Sequence, residues 1–191
     1  MSSLSSLSQL PWLRTPQPQR RKCFISYYHG DKTWAESFVN QFGGPNGAII
    51  PRILGLDDDA IRSSKPDYVI DTIRADYISG SSVSIVLLGS CTHSRRFVDW
   101  EIKRGLLNGN GFLGIILPPA IQQYLPERFA ANWQQNDTGY AALRLYPTSG
   151  AVLQSWINDV VIRASARRWQ ISNAQDVWAY NRMCSTCGRT H

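Results

Sequence analysis

Residues 82–90 read SVSIVLLGS. The run is too short for a buried helix, and its consecutive Val, Ile and Leu put apolar side chains on both faces of a strand. A strand of that kind sits centrally and must be covered on both sides. The rest of the chain offers the cover. KCFISY (22–27) and FLGIILP (112–118) are further buried strands, and ALRLYP (142–147) is a plausible last one. Between them lie stretches of helical period. Asp31 can cap a helix through Phe42, with Trp34, Phe38 and Phe42 forming one core face. A start signal at Ser63 or Ser64 before Pro66 predicts a helix to Tyr77. Helices follow at 95–107 and 151–166, the latter with a stripe of Val152, Trp156, Val160 and Ile162. GGPNG (43–47) stops the first helix, and Pro51 limits 48–56 to an edge strand. Strands alternating with helices predict an α/β fold, a mostly parallel sheet with helices on both faces. Ligands then sit beyond the carboxyl ends of the strands, here SYYHGD, GSCTHS and LPPA.

Residues 22–170 read as one domain, with a basic N-terminal tail (1–21) and a C-terminal extension (171–191). The tail is rich in Ser, Pro and Arg. It lacks a secretory apolar core, and Pro11, Pro16 and Pro18 argue against a targeting helix. The net charge of +6 suggests nucleic acid until it is divided by region. Of the 20 basic groups, four lie in 1–22 and five in 163–191, leaving 11 against 13 acidic groups in 23–162. The middle of the chain is slightly negative, so no basic binding face and no nucleic-acid partner is expected. No apolar run is long enough for a bilayer, and no membrane contact is expected.

The four cysteines are Cys23, Cys91, Cys184 and Cys187. Cys23 and Cys91 border strands and read as reduced thiols, which fits a cytoplasmic location. Cys184 and Cys187 form C-x-x-C with His191 beyond, but no second pair supplies the remaining zinc ligands, so no metal site is expected and 184–191 reads as a frayed end. The Asp57–Asp59 triplet reads as a solvated loop.

Several motifs exclude more than they support. GNGFLG (109–114) matches G-x-G-x-x-G, but a helix precedes it and a strand follows, the reverse of a dinucleotide-binding turn. It reads as a helix stop. No P-loop is present. A phosphoacceptor domain of this architecture needs a carboxylate at the end of the central strand, where LLGSCT has none. In SYYHGD, two tyrosines and a histidine at a strand end could stack on or hydrogen-bond a nucleotide.

SRRFVDWEI (94–102) raises a sharper question. The core stripe of its helix is Val98, Ile102, Gly105 and Leu106, and Glu101 lies about 100° off it, beside Trp100. A carboxylate on that flank can stay ionised in a partly dry crevice. That suits stabilising the oxocarbenium-like centre that develops when an N-glycosidic bond breaks. A surface ion pair of Glu101 with Lys103 or Arg104 is the open alternative.

FISYYHGD, the stretch DDDAIRSSKPDYVIDTIRADYISGSSVSIVLLGS, and SRRFVDWEI come in this order and spacing. Over residues 22–118 they resemble the TIR-like domain family of the bacterial Thoeris antiphage defence system. The resemblance implies a flavodoxin-like TIR fold and cleavage of the nicotinamide–ribose bond of NAD. NAD would be a substrate, with no cofactor. The product would be a cyclic or conjugated ADP-ribose signal that reaches a separate effector by diffusion. It places the catalytic glutamate at Glu101. Ser26, Tyr27, Tyr28 and His29 would line the nicotinamide and ribose pocket, Ser90 and Arg95 would approach from the loop before the helix, and Ser63 would lie in a mobile covering loop. Trp100 joins the candidate substrate contacts, although its spacing from Glu101 differs from that of eukaryotic TIR enzymes. A homo-oligomer is implied as well. The alternative function is a non-catalytic TIR adaptor acting through homotypic contacts.

Overall fold

A computed structural model describes residues 19–54, 75–119, 124–177 and 179–190. Five parallel strands form one sheet: β1 (Arg21–Ser26), β2 (Ile49–Ile53), β3 (Val83–Leu88), β4 (Gly111–Ile116) and β5 (Ala141–Leu145). Their order is β2-β1-β3-β4-β5. This is the flavodoxin-like order, and its winding reverses between β1 and β3, the point beyond whose strand ends ligands bind in sheets of this kind. SVSIVLLGS supplies the middle strand, buried at every position of β3, and β2, with Pro51 inside it, is an edge.

The alternation of strand side chains divides the core. Cys23, Ile25, Ile85, Leu87, Leu113 and Ile115 face α1 (Lys32–Phe42) and α4 (Gly150–Ala166). On the opposite face, Val86, Leu88, Phe112 and Ile116 meet α2 (Arg96–Asn108) and the short α3 (Glu127–Asn132). Helices therefore cover both faces. Each fully buried large side chain in these clusters contributes roughly 1.5–3 kcal/mol of transfer free energy. The period of two puts Ser26, like Phe24, on the side opposite Cys23 and Ile25.

The helix α2 ends at Gly109, whose φ of 76° is left-handed and whose N–H returns to Leu106 O, so GNGFLG is the expected helix stop. Three details differ from the sequence reading. Asp31 precedes α1 without capping it through its side chain. Trp34 is at the edge of the core, 36% exposed and edge-on to Tyr146, while Ala35 takes the buried place. In α4 the buried positions are Leu153, Ile157, Val160 and Arg163, and Ile162 is exposed. The expected helix to Tyr77 falls largely outside the described residues, of which 75–79 are helical. Asp57–Asp59 also lie outside them. None of the described helices is long and apolar enough to cross a membrane.

Candidate active site at the strand ends

Glu101 belongs to the side of α2 turned toward the carboxyl end of β1. It is only 8% exposed. Ser26, the last residue of β1, donates its hydroxyl hydrogen to Glu101 Oε2 at 2.6 Å in a buried bond. The helix can lie this close to the sheet because Gly105 has no Cβ. A Cβ there would stand 2.7 Å from both the Phe112 ring and Ser84 Oγ. The two cations of the surface-pair alternative are engaged elsewhere. Lys103 reaches Gln175 O at 3.2 Å and Asp176 at 3.7 Å, and the Arg104 guanidinium stands over the Trp100 ring at 5.4 Å. Glu101 is thus a buried carboxylate rather than an exposed one.

Beyond β1 the chain turns through Tyr28 and His29, whose rings meet edge-on at 4.6 Å. The Arg95 guanidinium lies 4.4 Å from the Tyr28 ring centroid, a cation–π contact. Arg95 is 4% exposed, and its Nε donates to Cys91 O at 2.9 Å. Its two terminal nitrogens are buried with no hydrogen-bond partner among the described residues. A buried guanidinium whose terminal nitrogens have no acceptor among the described residues can receive an anion or a carbonyl oxygen. Burial pushes the Tyr28 hydroxyl above its ordinary pKa against the pull of Arg95, with Cys91, Asp31 and Cys187 adding to the rise.

Asp31 faces the same crevice. Thr92 donates to its carboxylate at 3.4 Å, and Thr92 Oγ1 in turn accepts from Gly89 N–H at 2.9 Å. Burial raises the Asp31 pKa, opposed by the Thr92 hydrogen bond and by Arg95. This explains why Asp31 fails as a helix cap: its side chain is committed to the loop after β3.

The remaining candidates are placed less uniformly. Tyr27 packs on the α1 side of the core and donates to Leu54 O at 3.4 Å. His29 is exposed. Ser90 is exposed too, and its carbonyl accepts from Thr186 Oγ1 at 2.8 Å. Trp100 is half-buried against Arg104. Ser63 lies outside the described residues.

The C-terminal extension is the largest surprise. Its described end is not frayed but lies along the loop leading into α2. Asn181 Oδ1 accepts from Arg96 N–H at 2.9 Å, capping α2, and Arg182 N–H donates to Ser94 O at 3.0 Å. Arg182 also pairs with Glu127. A second missed feature is the buried pair of Asp99 with Arg128, at 2.9 and 3.1 Å, which ties α2 to α3. A cavity of about 180 Å³ lies at the ends of β4 and β5, lined by Ile116, Trp133, Leu143 and Arg144 among others, and none of the crevice residues lines it.

A family model described as Thoeris protein ThsB, TIR-like domain, matches residues 24–121, slightly more than half of the chain, from the second half of β1 through α2 and β4. No curated protein matches the sequence. A parallel sheet in the flavodoxin-like order, a buried glutamate on the helix after the central strand and this match agree, and the chain belongs to the TIR-like domain family of Thoeris protein ThsB, a family of antiphage defence.

Proposed function

We propose that this protein cleaves NAD at the nicotinamide–ribose bond and converts the ADP-ribose portion into a cyclic or conjugated signal for a separate effector. The observation that carries the reading is the buried Glu101 carboxylate held by Ser26 at the switch point of the sheet. NAD binds across the strand ends. The bond between ribose C1′ and the nicotinamide nitrogen breaks, its electron pair leaves with nicotinamide as a neutral amine, and positive charge remains on the ribose. Glu101 stabilises that charge in a site with little water, where a fixed carboxylate acts most strongly. The Ser26 hydrogen bond sets the carboxylate's position. The aromatic face of Tyr28 and the unfilled donors of Arg95 offer stacking and an anion contact to the dinucleotide. A hydroxyl or ring nitrogen of the same ADP-ribose, or of a second acceptor, then attacks C1′ and gives up its proton.

The reading includes a cytoplasmic enzyme acting as a homo-oligomer, with neither membrane nor nucleic acid as partner. The test is to incubate concentrated protein with NAD, with and without phage-infected lysate, and to follow small molecules by mass spectrometry. Nicotinamide together with an ADP-ribose derivative is the expected result. NAD left intact under both conditions would favour the non-catalytic adaptor.

A further inference from the structure

Cys91, on the loop after β3, meets Cys184 and Cys187 of the C-terminal extension, and the three sulfur atoms lie within 4.8 Å of one another. Cys91 Sγ is 3.5 Å from Cys187 Sγ. With Zn–S bonds of about 2.3 Å, a tetrahedral site separates its sulfurs by about 3.8 Å, so the three thiols stand close to ligating distance as they are. Their backbone is shaped for it. Gly188, directly after the second cysteine of C-x-x-C, has φ of 68° and donates its N–H to Cys184 O at 2.8 Å. Cys184 N–H donates to Arg189 O at 3.0 Å, closing a tight knuckle.

We propose that Cys91, Cys184 and Cys187 bind a zinc ion that fastens the C-terminal extension to the loop between β3 and α2. The sequence pattern hides this site because C-x-x-C lacks a second pair, and the third thiol comes from a position 96 residues before Cys187. The fourth position is filled by solvent, because His93, the nearby imidazole, uses its Nε2 to accept from Ser185 N–H at 3.3 Å inside the knuckle. His191 lies outside the described residues.

The location gives the ion a task. Cys91 O holds Arg95 Nε, and Arg95 stacks on Tyr28. Asn181, three residues before Cys184, caps α2. Metal binding therefore orders the segment that positions Arg95 and the start of the helix bearing Glu101. Three thiolates and Zn²⁺ leave one net negative charge, beside a guanidinium with unfilled donors. The proposal is independent of the NAD reaction.

The test uses the full chain expressed with zinc and purified without chelator. Elemental analysis should give about one zinc per chain, and the cobalt-substituted protein should show thiolate-to-metal charge transfer with the intense visible bands of four-coordinate cobalt. Cys184→Ser and Cys187→Ser should each lose the metal while far-ultraviolet circular dichroism stays that of the folded domain. His93→Ala should keep the metal, since only the three thiols hold it. Wild-type protein that carries no zinc and takes up no cobalt overturns the proposal, as does a mass two hydrogens short, showing a Cys91–Cys187 disulfide. The wild-type metal content decides the matter even where a variant fails to fold.

Discussion

Ser26 and Glu101, 75 positions apart in sequence, share a buried hydrogen bond of 2.6 Å where the first strand of the sheet ends. The bond joins the two elements on either side of the switch point, and on the proposed reaction the serine places the carboxylate. A hydrogen bond to a charged group contributes about 1.5–3 kcal/mol. Ser26→Ala should therefore lower kcat for NAD cleavage by about 10- to 100-fold, with a smaller change in KM. Ser26→Thr keeps the hydroxyl and should recover most of the rate. Equal loss in both variants would make Ser26 a packing residue only.

The spacing of α2 from the sheet depends on Gly105. A Cβ there meets Phe112 and Ser84 at 2.7 Å, neither of them a free chain end. Gly105→Ala should cost about 1–3 kcal/mol through overpacking and should pull Glu101 away from Ser26. Denaturant unfolding reads the first effect and NAD turnover the second. An unchanged midpoint with full turnover would show that the helix adjusts freely.

Asp99 and Arg128 are both 2% exposed by side chain and form a two-pronged pair. Removing one partner leaves a buried charge, so Asp99→Ala should destabilise the protein by about 3–5 kcal/mol. The double variant Asp99→Ala with Arg128→Met should recover a large part of that loss. Denaturant titration of the four proteins measures the coupling, and additive losses would contradict it.

Asp137 answers to pH. Burial alone would raise its pKa, but hydrogen bonds and charge from Arg144 and Arg163 outweigh it and hold the carboxyl at about 2. The folded pKa lies below the ordinary carboxylate value near 4. The contribution of this group is then present in full above that value and is lost as pH falls through the folded pKa. The melting temperature should drop between about pH 4 and pH 2, and Asp137→Asn should flatten that part of the profile. Asn is the suitable replacement because the backbone there has φ of 57°. An identical acid profile in the variant would assign the acid sensitivity to other carboxylates.

How far the sequence foretells all this depends on the element. The apolar run at 82–90 and the alternating periods were enough for the parallel sheet, because a strand buried on both faces permits few architectures. Glu101 was legible as an oddity from helix geometry alone, since Val98, Ile102, Gly105 and Leu106 define where the core must be. The face of α4 was not. Val152, Leu153, Trp156, Ile157, Val160, Val161 and Ile162 make that helix apolar over most of its circumference, and packing selects Leu153, Ile157 and Val160. Trp34 follows the period of four, yet Tyr146 at the sheet edge holds it partly in solvent. Partners distant in sequence were invisible: Ser26 for Glu101, Arg128 for Asp99, and Cys91 for the C-x-x-C knuckle. Spacing reports neighbours along one element, whereas these contacts arise from how separate elements dock.

The proposed reaction turns on the charge of one carboxylate. Glu101→Gln keeps the size of the side chain and can still accept from Ser26, but it removes the charge that would stabilise the ribosyl cation. The most direct measurement is the rate of nicotinamide release from NAD by wild-type and Glu101→Gln protein at matched concentration and assembly state. The rate should fall by roughly 10²–10³ or more, with the ADP-ribose product disappearing in step. Equal rates in the two proteins would contradict it.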